Sequence, residues 1–253
     1  MADTPYEPYD VNFCYTAPPT LESDRVKLVP FIPSIHAKQL FDQCQQFPEI
    51  FTWLPFGPFT TLAGLEIGFI EDTIRKDDKR LLFAIFDKTK ASAEYSGGAF
   101  AGAIAYINSS PAAFATEIGC VMILPPFQRT HVASNAVGIL LKYALDLPSE
   151  GGLGLRRVFW QANKFNKPSV WLADRMGFHH EAILRWDRAL SKGKDEAWNG
   201  KVVREGDPLP HSVGRDTTIL SLCWDDWEAG RKGHVETVMN RVNSLIWTVL
   251  IIL

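Results

Sequence analysis

Apolar Val26, Leu28 and Phe31 alternate with charged Arg25 and Lys27, the period-two pattern of a half-buried strand. Ser34 stands where a cap is expected ahead of the helical stretch IHAKQLFDQCQQF, which must stop before Pro48. The aromatic, Pro/Gly-broken segment 51–59 (FTWLPFGPF) predicts a packed loop, and a second helix follows at about 60–77. Strands are predicted at Leu81–Phe86, Ala99–Ile107, Thr116–Leu124, Arg157–Gln161, Glu181–Trp186 and Thr217–Cys223. Helix spacing returns at Ala133, Val137, Leu140, Leu141, Ala144 and Leu145, and a short helix, Pro168–Met176, ends on Gly177. The order βααβββαβαββ, with short connections and no linker, predicts one α/β (α+β) domain over 21–228. Its sheet should be mixed, twisted and mostly antiparallel, with helices on both faces. Residues 1–20 read as an extended arm and 229–253 as a C-terminal tail.

Composition narrows the function. The 253 residues hold 26 Lys plus Arg and 29 Asp plus Glu, a net charge of −3. That balance excludes a polycationic arm and gives no electrostatic case for nucleic-acid binding. Eight Trp, 16 Phe and six Tyr exclude disorder over most of the chain. Cys14, Cys44, Cys120 and Cys223 are widely spaced, so neither a metal site nor a disulfide framework is expected, and reduced thiols fit a cytoplasmic location. MADTPYEPYD has no basic or apolar run of the kind that begins a secretory signal. The tail ends in nine nearly all-apolar residues, Leu245–Leu253, too few for a transmembrane helix of about 20. It could dock on the core, face a partner or membrane surface, or be an assembly artefact of the gene.

Several motifs have ordinary structural explanations. Gly97–Gly102 has phosphate-loop spacing but is followed by Ala103 and Ile104, where Lys and Ser/Thr are needed, so it reads as a turn into a strand. Gly151, Gly152 and Gly154 follow a helix and read as a connection. Asp216 reads as a turn residue entering a strand, Cys120 as a small buried hydrophobe, and His179 and His180 as a surface pair. Trp53, Phe56 and Phe59 could line a pocket or pack the core. More informative is Glu117–Ala133 (EIGCVMILPPFQRTHVA): a strand, a Pro-Pro break, a polar turn and a helix start. Orphan N–H groups in such a turn and helix terminus form an anion site, to which Arg129 adds a fixed charge.

This segment resembles the core motif of the GCN5-related N-acetyltransferases (GNAT), whose pyrophosphate loop runs Q/R-x-x-G-x-G/A. Here it reads Gln128-Arg129-Thr130-His131-Val132-Ala133. The chain is similar in particular to the ribosomal-protein-alanine N-acetyltransferase branch. It shares the opening strand, Asn166-Lys167-Pro168-Ser169, Met176-Gly177-Phe178, Glu181 with Leu184-Arg185, Arg215-Asp216-Thr217, and Trp224 or Trp227, collinear over about 21–228. Two positions depart from the pattern. His131 stands where the loop usually has Gly, and Ser169–Met176 has no Tyr to serve as general acid.

The resemblance implies direct transfer of acetyl from acetyl-CoA, as co-substrate, to a primary amine on a small molecule or a protein N-terminus. It implies that backbone groups of Val121, Met122 and Ile123 meet the pantetheine and that Gln128, Arg129, Thr130, His131, Val132 and Ala133 hold the pyrophosphate. Asn166 and Ser169 would contact the cofactor arm, with no metal needed. An alkylammonium with a pKa near 10 must lose a proton before it attacks a thioester, and Glu117 stands where the family keeps a base. Glu117 could equally be a strand-end surface charge. A homodimer is one assembly open to such a domain. Two other functions stay open: a non-catalytic acyl-CoA-binding or interaction protein on the same fold, motivated by His131, the missing Tyr and the apolar tail, and O-acetylation of a small metabolite.

Overall fold

The computed structural model describes residues 9–95 and 97–241. Eight strands form one sheet: β1 (Leu21–Glu22), β2 (Val26–Pro30), β3 (Leu81–Asp87), β4 (Ala99–Ser110), β5 (Ala115–Ile123), β6 (Arg157–Asn163), β7 (His179–Leu190) and β8 (Val213–Cys223). Their spatial order is β1-β2-β3-β4-β5-β6-β8-β7, and every neighbouring pair is antiparallel except β5–β6. The longer helices are α1 (Pro33–Gln46), α2 (Gly64–Arg75), α3 (Val132–Leu145), α4 (Lys167–Arg175) and α5 (Lys232–Asn240). This is the α/β architecture that the hydrophobic pattern predicts.

The two faces of the sheet can be followed residue by residue. Tyr106 and Ile118 pair across β4 and β5, and the Tyr106 hydroxyl donates to the Leu140 carbonyl of α3. On the same face the Trp160 indole donates to Ser169 of α4 at 3.0 Å. On the opposite face His36 of α1 packs its ring edge-on against Phe86. α1 therefore lies on one side of the sheet, and α3 and α4 on the other.

Two local readings change. Ser34 does not cap α1. Pro33 occupies the first turn, where its missing N–H costs nothing, and the Ile32 N–H is taken by His36 Nδ1 at 2.9 Å. Burial pulls the His36 imidazole down to about 4, which keeps it a neutral acceptor. The second change lies beyond residue 229. Lys232–Asn240 is helical and buries Val235, Val238 and Met239. It covers the side of α3 turned away from the sheet. α3 is buried around nearly its whole circumference, so one sheet face alone could not shield it. Gly138 provides the closest approach: a Cβ there would meet Met239 Sδ at 2.3 Å and Val235 Cγ1 at 3.2 Å. The apolar stretch Leu245–Leu253 lies outside the described residues. Among the described residues no helix is long and apolar enough to cross a membrane.

Gly138→Val should drive α5 off α3 and lower unfolding stability by about 1–3 kcal/mol. Met239→Ala in the same chain should return part of that loss. Urea unfolding of the two variants checks both.

Candidate active site

β5 and β6 pair only from Ala115–Glu117 to Arg157–Phe159. Beyond that row β5 continues to Ile123 against β4, and β6 to Asn163 against β8, so the two strands diverge. The β6-facing backbone groups of Ile118–Ile123 have no ladder partner in β6. A β-bulge on β5 helps open the gap, because Gly119 and Met122 face Ala105 and Ala103 while Cys120 takes a φ of 49° between them. Gly102 permits this path: with φ at 135°, a Cβ there would stand 1.9 Å from the Met122 carbonyl oxygen.

Glu117 sits at the apex of the opening and is 3% exposed. Asn108 Nδ2 donates to its Oε2 at 2.7 Å, and no ion pair reaches it among the described residues. Burial pushes its carboxyl up to about 7, and the Asn108 hydrogen bond and the charges of Arg188 and Arg215 offset only part of that. Glu117 is thus not a strand-end surface charge. A side chain at Gly119 would run into Ile107 and lie 3.5 Å from Glu117 Oε1, so the glycine keeps the carboxylate approachable. The Cys120 thiol is pushed up to about 12 by burial and then by Glu117, so it is not poised as a nucleophile.

At the far end of β5 the chain turns through Pro125–Phe127 into α3. Arg129 is in the left-handed region with φ at 59°. Thr130 Oγ1 donates to the Phe127 carbonyl at 2.6 Å and accepts from the Val132 N–H. Gln128 Nε2 donates to the Ile123 carbonyl at 2.9 Å, fixing the loop to the strand. The N–H groups of Arg129, Thr130, His131, Ala133 and Ser134 find no acceptor among the described residues. They form the N-terminal donor set of a 14-residue helix. His131 does not fill this cradle. Its ring turns to Asp87 on β3, with Nε2 3.1 Å from Oδ1. Asp87 is itself buried, and its Oδ1 also receives the Thr89 N–H and hydroxyl.

Next to the loop a cavity of about 340 Å³ is lined by Arg25, Thr130, His131, Ser134, Arg175, Val238 and Arg241. Its three arginines lie just before β2, at the end of α4 and just after α5. They are not legible together in the sequence because they stand 66 to 216 residues apart. Arg25 also donates to the Met239 and Arg241 carbonyls, tying the end of α5 to the mouth of the cavity.

The remaining candidates fall into place around these features. Asn166 caps α4 by accepting the Ser169 N–H at 3.2 Å, and the Ser169 hydroxyl accepts from Trp160. Phe56 stacks on Phe69, Phe59 lies tilted against it, and both meet Phe51 edge-on, so they pack against the core while half-buried, as Trp53 also is. His179 and His180 are exposed beside Asp226 and Asp174. Cys223, Asp225 and Asp226, at the end of β8 in the row of Arg157, hold metal-type donor atoms within 4.8 Å of one another. Asp216 differs from its reading as a turn residue. It is buried inside β8 and accepts from the Trp186 N–H, Asn199, Lys164 and Lys201, all at 2.9–3.0 Å. Burial would raise its pKa, but these four donors hold it well below the usual carboxylate range. The bond from the Trp186 N–H ties the bulge of β7 between Leu184 and Arg188 to β8.

Residues 25–179 match the family defined as the acetyltransferase (GNAT) domain. Among curated proteins, none matches the sequence. Solved structures do. A GCN5-related N-acetyltransferase from Brucella melitensis is 27% identical, with a TM-score of 0.67 over 87% of this chain and 85% of its own. A probable GNAT-family acetyltransferase from Chromobacterium violaceum is 25% identical, with a TM-score of 0.66 over 90% and 99%. RimJ from Mycobacterium smegmatis, solved with CoA-disulfide, is 14% identical, with a TM-score of 0.60 over 84% and 88%, and shares the fold.

Asp216→Asn should cost about 3 kcal/mol, because it leaves two lysines facing a neutral amide. The wild-type carboxylate has a lowered folded-state pKa. Its contribution is present above the ordinary value of 3.8 and is lost as pH falls below it. The acid limb of stability against pH should therefore be shallower in the variant, as measured by denaturant unfolding from pH 2 to 6.

Proposed function

The chain belongs to the GNAT acetyltransferase family and is an acetyl-CoA-dependent acetyltransferase; from that premise we infer that it acetylates a primary amine with Glu117 as general base. The observation that carries this is a buried carboxylate at the strand opening whose pKa is raised to about 7. A base of that pKa is half ionised at neutral pH and strong enough to take a proton in the transition state. An exposed carboxylate near 4.5 would be ionised but much weaker.

Acetyl-CoA supplies an activated thioester. The residues fit its shape and charge. The free N–H groups from Arg129 to Ser134 suit the pyrophosphate. The unpaired edge of Val121, Met122 and Ile123 suits a pantetheine amide chain. Arg25, Arg175 and Arg241 supply charge for a further phosphate. His131 leaves the loop N–H groups uncovered, which removes a motive for the non-catalytic alternative. Glu117 accepts the proton released by the ammonium, directly or through one water. The amine nitrogen then bonds to the acetyl carbonyl carbon; the C–S bond breaks with its electron pair going to sulfur, and the second proton shed by the nitrogen balances the CoA thiolate, which leaves as the thiol. Asn166 and Ser169 act here through α4: they fix its first turn beside the opening. The collinear motifs support likeness to the ribosomal-protein-alanine branch. The homodimer reading rests on β7, the outermost strand, which leaves Ile183 and Trp186 exposed.

Glu117→Gln should lower kcat by about 10²–10⁴-fold. Acetyl-CoA at about 100 times its Kd should still add roughly 2.7 kcal/mol to the variant's stability. Unchanged turnover would remove Glu117 from the mechanism. In the wild type, kcat/KM should rise with pH through about 7 as the carboxyl ionises, and that limb should be absent in the variant. Arg175→Gln should weaken acetyl-CoA binding roughly tenfold, the loss of one charge-assisted hydrogen bond, as read by calorimetry.

A further inference from the structure

Arg215 is the buried charge that the mechanism above leaves unused. It is 4% exposed, yet among the described residues its guanidinium makes a single hydrogen bond, from Nε to Thr217 Oγ1 at 3.0 Å. None of its nitrogens lies within 4 Å of a carboxylate oxygen among the described residues. The nearest candidate, Asp187, is already occupied: its Oδ2 accepts the Thr217 hydroxyl at 2.7 Å and faces Arg188 Nε at 3.3 Å. A guanidinium taken out of water without a counter-ion is costly, and burial pulls Arg215 down to about 10. Its two Nη groups are nevertheless not sealed. Among the described residues the fully occluded side-chain atoms without a partner are Gln39 Oε1 and Asp87 Oδ2. The Nη fork is therefore unpartnered among the described residues yet keeps some access to solvent.

The sheet register says on which face that fork lies. Glu117, Phe159 and Ser221 form one row across β5, β6 and β8. Alternation along β8 from Ser221 brings Ile219, Thr217 and Arg215 to the same face as Glu117. That face is opposite the one carrying α3 and its phosphate-type cradle. Glu117 and Arg215 also feel each other's charge.

We propose that Arg215 receives the carboxylate of the acceptor whose amine is presented to Glu117, so that the substrate class is a free amino acid or a similar amine bearing a nearby carboxylate. This rests on the acetyl-transfer reading above and deepens it. Two coplanar Nη donors match the two oxygens of a carboxylate, and the acceptor's own anion would neutralise the buried charge. A protein N-terminus offers an amide at that position and leaves the guanidinium unpaired. A polyamine would bring a second positive charge toward it.

The test compares each of a panel of amino acids with its carboxamide and its decarboxylated amine. With acetyl-CoA, the best free amino acid should exceed both analogues in kcat/KM by about 10- to 100-fold. Arg215→Gln should bring the amino acid down to the level of its carboxamide, and Arg215→Lys should restore part of the preference. Equal or better use of the carboxamide by the wild type overturns the proposal, as does an equal loss on both substrates in Arg215→Gln. The acetyl-CoA thermal shift reports whether the variant is folded; if it is not, the wild-type comparison decides alone. Turnover without a carboxylate preference defeats this inference and spares the acetyl-transfer reading. No turnover with any amine defeats that reading. In that case thermal shifts by amino acid against carboxamide, in the presence of CoA, still decide whether Arg215 prefers a carboxylate.

Discussion

Two parallel strands that stay paired over three residues and then part leave backbone donors and acceptors facing an opening, and much of the molecule is arranged around that gap. Here each strand is held by its other neighbour, β4 for β5 and β8 for β6, so neither needs its partner beyond Glu117 and Phe159. The bulge at Cys120 and the close approach at Gly102 bend one side of the gap. The opening lets one face of the sheet collect phosphate-type donors while the other collects Glu117, Asp187, Arg188 and Arg215. A co-substrate passing through the gap would meet an acceptor coming from the opposite side.

The elements were legible because their periodicities are strong. β3, β5 and β6 carry uninterrupted apolar or alternating runs, and α3 repeats at helical spacing. The candidate base and the loop were legible because both sit on one continuous segment, Glu117–Ala133. What could not be read was composed of distant pieces. The three arginines of the cavity and the partners of Asp216 meet only after folding. α5 left a usable signal: Val235, Val238 and Met239 at helical spacing, and an α3 too apolar all round to be covered by one sheet. Ser34 looked like a cap because local propensity favours it, but Pro33 and His36 together provide a better one.

His131 shows how a loop can tolerate a side chain where glycine is usual. Its φ of −69° is ordinary for any residue, so the position does not demand glycine's freedom. The left-handed turn falls instead on Arg129. The imidazole is drawn to the buried Asp87, which gives that carboxylate a partner and keeps the ring off the loop N–H groups.

α5 closes one wall of the arginine cavity with Val238 and Arg241, while Arg25, on another wall, grips the α5 carbonyls. Docking of α5 and occupancy of the cavity thus share the same groups, and thermodynamic linkage makes the coupling reciprocal. Whatever loosens the end of α5 must weaken what the cavity holds, and whatever fills the cavity must tighten the end of α5 by the same factor. α5 would then serve as a remote handle on co-substrate affinity, one that acts without touching Glu117.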